Sequence, residues 1–220
     1  MVWGYVGPTG PEHWASLAPE YALCGEGVQQ SPVDITGYER AGVPALSFSY
    51  SGEVRGAALV RGSIVVEFGP GSSMALGDLH YELQSAHFHA PAEHTVDDEA
   101  FTAELHMVHE DASGEALVVG VLYQLGPPNP VLQAMLNAAS GEAADFPSGA
   151  AGFTPRSTAF YNYTGSKTTP PCHEPVAWVV LRDPGTVSQE QVDALQAFSG
   201  GPNNRPVQPL RGRRIVLVGG

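Results

Sequence analysis

The sequence predicts a mainly β fold, arranged as a large, mostly antiparallel sheet of around ten short strands with few helices. Short runs of apolar and β-branched residues, separated by turn residues, recur along the chain. The 26 glycines and 19 prolines suit many turns, and only 15% of the residues are charged. A length of 220 residues allows one large domain with a substantial core, so residues 1–220 are expected to form a single domain.

The N-terminal third is predicted to lead irregularly into the sheet. Residues 3–17 are aromatic and rich in glycine and proline, with a short helical turn around 11–18, and QQSPVDI at 29–35 is a turn before the first strands. Alternating or apolar runs bounded by Gly and Ser then predict strands at 46–50, 58–60, 64–68 and 79–84.

The second half alternates strands with two helices. Residues 116–123 are nearly all apolar, as in a central strand buried on both faces. Asn129 as N-cap and Pro130 at the first helical position predict a helix over 129–138. Ser188 and Gln191 form a capping box that opens a helix over 188–198. Further strands are predicted at 161–163, 176–181 and 215–218.

Five of the eight histidines lie in the stretch SAHFHAPAEHTVDDEAFTAELHMVH, residues 85–109. His87 and His89 are two apart in a β-like run, so their side chains share one face of a strand. Residues 103–109 resume the alternation, which places Glu104, His106 and Val108 on one face and Leu105, Met107 and His109 on the other. Antiparallel pairing of the two strands would bring His106 beside His87 and His89.

Three imidazoles on matching faces indicate a catalytic zinc ion, because such sites use three protein ligands and keep one position for water. Neither Cys24 nor Cys172 is near these histidines in sequence. Glu104 would share a face with His106 and accept the second ring N–H, which fixes the tautomer of a ligand. The alternative is that these are ordinary polar positions of a β protein.

The composition argues against some binding partners but does not determine the cellular compartment of the protein. The net charge of −13 argues against nucleic acid and anionic membranes as partners. No apolar run has the length of a transmembrane helix, and MVWGYVGP lacks the features of a signal peptide. Cys24 and Cys172 are two free thiols or one disulfide on spacing alone. If Met1 replaces a signal peptide, a disulfide and an exported location are expected.

The motifs together carry a resemblance that runs nearly end to end. They are WGYVGPTGPEHW, QQSPVDI, HFHAPAEHTVD, AELHMVH, GSKTTPPC and NNRPVQPL. With them the chain resembles an α-class carbonic anhydrase of bacterial type. The resemblance implies a twisted, mostly antiparallel ten-stranded sheet with peripheral helices and Zn²⁺ at the bottom of a cone-shaped cleft. It also implies reversible hydration of CO₂ to bicarbonate and a proton, by attack of zinc-bound hydroxide. The expected partner is then a small-molecule substrate, CO₂ or bicarbonate. The sequence does not determine whether the protein forms a homodimer.

Site residues follow from the resemblance by position. His87, His89 and His106 would bind zinc, and Thr168 would accept a hydrogen bond from the hydroxide while donating one to Glu93. The remaining implied roles are the substrate border (Thr169), the apolar wall for CO₂ (Val108, Val118, Trp178), the water network (Tyr5) and support of the ligands (Glu104 and the Asn203 backbone). The family also implies a Cys24–Cys172 disulfide, cis peptides before Pro32 and Pro171, and a periplasmic or extracellular location.

The sequence departs from the family pattern in four places. Residues 60–63 (VRGS) lack the usual proton-shuttle histidine, so proton export is expected to limit turnover and to depend on buffer. A histidine at Gly62 or Ser63 is expected to recover much of the effect of buffer on proton export. The alternative is that a distant histidine such as His13 already serves as the shuttle. Ser85 replaces a glutamine that steadies the first ligand, and Ala90 stands at another variable position. Lys167 replaces a leucine of the cleft wall. Its charge would lower the pKa of zinc-bound water, or the ammonium would lie in bulk solvent, where screening removes most of that effect.

Other residues receive structural interpretations. His94 and His109 are expected to make structural hydrogen bonds, and His13, His80 and His173 to lie at the surface or in loops. Arg205 is expected to anchor backbone carbonyls or a carboxylate.

Two other functions remain as alternatives. HFHAPAE also matches a cupin pattern, in which Glu93 would be a ligand of iron or manganese in an oxygenase or isomerase, but GSKTTPPC has no role in that fold. A carbonic-anhydrase-like binding protein without activity is the second alternative. Such proteins typically lack a zinc histidine, and all three are present here.

Overall fold

The computed structural model describes residues 2–42, 45–142, 146 and 148–219. It confirms a mainly β architecture, with one large sheet and one small sheet. The strands are β1 Asp34–Ile35, β2 Glu39–Ala41, β3 Leu46–Tyr50, β4 Val54–Val60, β5 Ser63–Phe68, β6 Ser72–Leu76, β7 Leu79–His89, β8 Thr95–Val96, β9 Glu99–Ala100, β10 Ala103–Glu110, β11 Ala116–Leu125, β12 Phe160–Gly165, β13 Val176–Val187 and β14 Val216–Val218.

The large sheet has eleven strands, one more than the family resemblance implies. Its order is β2-β14-β12-β13-β11-β10-β7-β5-β4, and β6 joins β3 to β7. Most pairs are antiparallel, as predicted, but β11–β13 and β14–β2 are parallel. The short strands β1, β8 and β9 form a separate three-stranded sheet.

The two longer helices begin where their capping residues predict. The α-helices of the described residues are α1 Trp14–Leu17, α2 Leu23–Glu26, α3 Pro130–Ala139 and α4 Gln189–Ser199. The Asn129 side chain accepts hydrogen bonds from Val131 N and Leu132 N at the start of α3, and Ser188 with Gln191 forms the capping box of α4. Single 3₁₀ turns lie at Gly7–Thr9, Pro11–His13, Pro19–Tyr21 and Gly149–Phe153. No helix in the described ranges is both long and apolar enough to cross a membrane.

Strand alternation divides the apolar residues between two main clusters. Leu105 and Met107 of β10 pack with α3 and α4 in the larger cluster. Val118 and Trp178 belong to a second cluster, with Val108 packed against it. Strand β11 contributes to both, which confirms the prediction of a central strand buried on both faces.

A third cluster attaches the N-terminal segment to the sheet. Trp3, Trp14 and Tyr21 pack around a disulfide between Cys24 and Cys172, which span 148 residues of sequence. The implied pairing of these cysteines is therefore confirmed. Cis peptides occur before Pro32 and Pro171, as implied, and also before Pro91 and Pro175.

Candidate active site

The central histidines come from two adjacent strands. In the antiparallel pairing of β7 with β10, His106 lies opposite His87, and Glu104 lies opposite His89. One ring nitrogen from each of His87, His89 and His106 lies within 4.8 Å of the other two. The strand register thus brings together the three imidazoles that the alternation predicts on one face.

The orientation of His89 is fixed from behind. Its Nδ1 donates to the carbonyl oxygen of Asn203 at 2.6 Å, and the Asn203 side chain accepts from Ala90 N at 2.8 Å and donates to Phe88 O at 3.1 Å. This leaves Nε2 as the unprotonated nitrogen of a neutral ring. The Nε2 atom is buried and has no hydrogen-bond partner within the described part of the chain.

Glu104 is fully buried and supports two imidazoles. It accepts from Glu93 N at 3.0 Å and from His94 N and Nδ1 at 2.8 and 2.7 Å. The Nε2 atom of His106 lies 3.0 Å from its Oε1, although their alignment does not make a regular hydrogen bond. Burial alone would raise the pKa of Glu104, but His94 and His106 hold it well below its usual value.

His94 is near enough to form a second possible ligand group with Glu104 and His106. However, both of its nitrogens are engaged, since Nδ1 contacts Glu104 and Nε2 contacts the Tyr163 hydroxyl at 2.7 Å. A structural hydrogen-bonding role fits these contacts. His87, His89 and His106 are therefore the better set for a metal ion.

The charge state of the three rings suits metal binding. Burial lowers the pKa of His89 and His106, and burial together with the two neighbouring rings lowers the pKa of His87 well below its usual value. His87 keeps some solvent exposure, whereas His89 and His106 are buried. Neutral imidazole is the form that binds a metal.

Glu93 approaches the same centre. Its Oε1 accepts the main-chain N–H of Arg205 at 2.7 Å, while its buried Oε2 lies 3.8 Å from His106 Nδ1 and lacks a regular hydrogen bond. Burial raises the pKa of Glu93 to about 7, and His106, the Thr168 hydroxyl and the Arg205 amide oppose this rise. Thr168 is therefore close enough to Glu93 to lower its pKa, and the hydrogen bond that the resemblance implies between them stays a prediction.

Three apolar residues are aligned across neighbouring strands. Val108 of β10 pairs with Val118 of β11, which pairs with Trp178 of β13. The Trp178 ring centroid lies 4.9 Å from that of His106, and its Nε1 donates to Ser166 O at 3.0 Å. The predicted wall residues thus form a row that borders a ligand candidate.

The loop over residues 166–173 carries the remaining predicted residues. Thr168 is buried, Thr169 is half-buried and Lys167 is exposed. The loop is fixed by Lys167 N to His173 O and Cys172 N to Thr169 O, both 2.9 Å, and by the disulfide.

Tyr5 lies between the histidines and Arg61, which belongs to the exposed rim of the site, defined as residues 59–61 and Lys167. Its ring centroid is 6.4 Å from that of His89 and 5.6 Å from that of Trp3. Burial raises the pKa of Tyr5 above its usual value, and the Ser63 hydroxyl opposes that rise. On the rim, the Arg61 guanidinium lies 5.3 Å from the centroid of Trp3.

Some of the residues considered in the sequence analysis do not contact this arrangement, and two residues that do belong to its hydrogen-bond network were not predicted. Ser85 makes no hydrogen bond to His87 among the described residues. His13, His80 and His173 are exposed, as expected. Sequence reasoning missed Ser31 and Tyr163, which continue the network from His94 through a contact of 2.8 Å between their hydroxyls. Their only sequence signal is their position inside the QQSPVDI and YNYTGS segments.

Comparison with known proteins gives consistent results. The family model described as eukaryotic-type carbonic anhydrase matches residues 9–218. The carbonic anhydrase of Pectobacterium carotovorum is 35% identical, with 97% of this chain and 90% of the relative covered. The α-carbonic anhydrase of Thermovibrio ammonificans, solved with sulfanilamide, aligns with a TM-score of 0.90 at 36% identity over 98% of each chain. Dioscorin DB3L of Dioscorea polystachya is 34% identical, with 96% of this chain and 83% of the relative covered.

Proposed function

The chain belongs to the eukaryotic-type, or α, carbonic anhydrase family, and from this premise we propose that it catalyses zinc-dependent, reversible hydration of CO₂ at His87, His89 and His106. The observation that carries the zinc assignment is the unpaired Nε2 of His89, which is buried beside two other imidazoles while Nδ1 is held by Asn203. A buried polar atom without a partner is costly unless a ligand satisfies it. A divalent cation would do so.

The donor set suits zinc in particular. Three neutral imidazoles form the usual ligand set of catalytic zinc in this enzyme class, with one position left for solvent. When bound, zinc lowers the pKa of a water ligand to about 7, the value known for carbonic anhydrase itself, and so supplies a nucleophile at neutral pH. Glu104 would hold the His106 ring and Asn203 the His89 ring in the required orientation.

Thr168 and Glu93 would orient the nucleophile. Glu93 is held by the Arg205 amide, so its free Oε2 can accept the Thr168 O–H. With its proton donated there, the Thr168 oxygen can only accept a hydrogen bond from the attacking oxygen, which directs a lone pair towards the carbon of CO₂. Such orientation contributes to catalysis without any strong protein base.

The row of Val108, Val118 and Trp178 would hold the substrate. CO₂ has no net charge or dipole, so it needs an apolar surface rather than hydrogen bonds. The same surface excludes water from one side of the nucleophile. Thr169 and Lys167 would border this site on the loop side, and Tyr5 would join its water network.

Proton export would be the weak step. Residues 60–63 hold no histidine, the side chain whose ordinary pKa lies near neutrality, and Ser63 cannot store a proton. External buffer would therefore carry protons away from the cleft. The disulfide further supports an exported, periplasmic or extracellular protein, because such bonds persist in oxidising compartments.

Metal content and stopped-flow CO₂ hydration on the purified protein test this function. We expect one zinc per chain, activity that a chelator abolishes, and recovery on adding Zn²⁺. Zinc-loaded protein without hydration activity would favour the alternative of a binding protein. Iron or manganese in place of zinc would contradict the zinc assignment.

A further inference from the structure

Arg205 is a charged residue in the interior, only 1% exposed. Its guanidinium donates to three uncharged oxygens: Nη1 to Gln30 Oε1 at 2.9 Å and Ser31 O at 2.7 Å, and Nη2 to Cys24 O at 2.7 Å. The group also lies 5.7 Å from the centroid of Trp14. Burial lowers the pKa of Arg205 to about 10, so the guanidinium stays charged at neutral pH.

The three acceptors lie in one short stretch, residues 24–31, which is bound in turn to the loop that carries Thr168. Cys24 forms the disulfide with Cys172. Gln30 Nε2 donates to Cys172 O at 3.0 Å, and Ser31 N donates to Ser166 Oγ at 2.9 Å. The side chain of Arg205 is thus fastened to the same segment that holds the 166–173 loop.

The backbone of Arg205 leads to the other half of the orienting pair. Its N–H donates to Glu93 Oε1 at 2.7 Å, and the second oxygen of that carboxylate is left for Thr168. Arg205 therefore makes two connections. Its main chain binds Glu93, and its side chain binds the segment that supports the Thr168 loop. A displacement of about 1 Å between two such groups can cost about 10²-fold in rate.

We propose that Arg205 is a positioning residue, whose buried guanidinium sets the placement of Glu93 relative to Thr168 by fixing residues 24–31 against the Arg205 backbone. It touches neither substrate nor metal ligand and acts only through Glu93. This inference rests on the proposed role of Glu93 and Thr168 in CO₂ hydration. A lysine at this position keeps the charge but lacks the planar fork that reaches three acceptors.

A double-mutant cycle tests whether Arg205 acts through Glu93. The variants are Arg205→Lys, Glu93→Gln and their combination, each checked for zinc content and melting temperature. We expect Arg205→Lys to lower kcat/KM by about 10- to 100-fold, and to add less than about 3-fold in the Glu93→Gln background. Losses that simply multiply would overturn the proposal.

Arg213→Lys is the matched control. Arg213 also holds residues 24–31, because its Nη2 donates to Gln30 O at 2.8 Å, and its Nη1 donates to Thr164 O at 3.1 Å on strand β12. None of the hydrogen bonds of Arg213 within the described residues reaches Glu93. Its replacement should change kcat/KM by less than about 3-fold. A loss equal to that of Arg205→Lys would mean that any loosening of this segment suffices, and would overturn the specific role of Arg205.

Two further measurements keep the proposal falsifiable. If Arg205→Lys does not fold or bind zinc, Gln30→Ala removes one acceptor, and its smaller loss must disappear in the Glu93→Gln background. The affinity for sulfanilamide, which one relative binds, gives a readout apart from turnover, because an inhibitor beside the three histidines would donate an N–H to a correctly placed Thr168. Wild-type protein that binds sulfanilamide but does not hydrate CO₂ would refute the proposed function, whereas unchanged sulfanilamide affinity in Arg205→Lys would refute the positioning role.

Discussion

The buried centre of the site, called the floor, and its exposed rim are built in opposite ways. At the floor, His89, Glu93, Glu104 and His106 are buried, and three of these residues keep a polar side-chain atom without a regular hydrogen bond among the described residues. At the rim, residues 59–61 and Lys167 are exposed, and no histidine is present. Burial with fixed partners suits the orientation of a nucleophile, whereas proton exchange with solvent needs an exposed group of matched pKa. The floor has the first, whereas residues 59–61 and Lys167 do not provide the second.

The largest expected effect comes from breaking the floor. His106→Ala removes one of three ring nitrogens and should lower kcat/KM by about 10³-fold or more, because several kcal/mol of metal assistance is lost. Zinc content by mass spectrometry and CO₂ hydration measure this. His80→Ala, at an exposed histidine on the same strand β7 as two ligands, is the control and should leave both unchanged.

Thr168→Ala tests the orienting pair while the metal ligands stay intact. We expect about a 10²-fold loss in kcat/KM with normal zinc content, because the nucleophile is then free to rotate. Thr168→Ser keeps the hydroxyl and should recover most of the activity. Full activity in the alanine variant would show that the floor needs only its three histidines.

Adding a titratable group to the rim tests whether the difference between floor and rim limits proton export. The sequence suggested Gly62 or Ser63 as positions for a histidine, but the structure argues against both. Gly62 has φ +81° and a Cβ there would lie 3.3 Å from Ser199 O, whereas Ser63 is buried. Arg61 is exposed, and histidine tolerates its φ of 49° comparatively well.

Arg61→His should therefore raise kcat in weak buffer several-fold, up to roughly tenfold, within the range known for general acid–base catalysis. The value of kcat/KM should stay nearly constant, because it excludes proton export. In wild-type protein, added imidazole should raise kcat in the same way. A wild-type kcat that is high and independent of buffer would contradict the absence of a shuttle.

Lys167 should have the smallest effect. Its charge would favour the deprotonated nucleophile, so Lys167→Leu should move the midpoint of the pH–rate profile upward. Because the side chain is exposed, screening should limit the shift to about half a pH unit. Lys167→Arg keeps the charge and should show no shift. An unchanged midpoint in both variants would remove Lys167 from the account of the cleft.

The sequence predicts the floor better than the rim for a physical reason. Strand alternation and antiparallel pairing determine the placement of His87 and His106, and capping chemistry determines the start of α3 and α4. Strands such as β2 and β6 carried too little signal, since β2 is fully exposed and β6 begins with two serines after glycines.

Local sequence patterns also do not predict which residues that are distant in sequence contact one another. The sharing of Glu104 between His94 and His106 depends on how the 90–102 loop folds back. The link from Glu93 to Arg205 spans 112 residues. The rim includes a turn, and no strand or helix periodicity predicts the directions of side chains in a turn. The choice of a position for an added histidine therefore needed the structure.

A histidine on the other face of β10 bears on acid tolerance. His109 is buried with both nitrogens engaged, Nε2 by the Tyr50 hydroxyl at 2.6 Å and Nδ1 by Met107 O at 3.0 Å. Burial lowers the pKa of His109 to about 4, whereas the unfolded chain titrates near 6.5. Unfolding therefore takes up a proton between these values, and the native state loses roughly 3 kcal/mol as the pH falls from 6.5 to 4. Urea denaturation across that range should show a shallower decline for His109→Gln, and an enzyme whose own reaction releases acid would meet this limit first in poorly buffered surroundings.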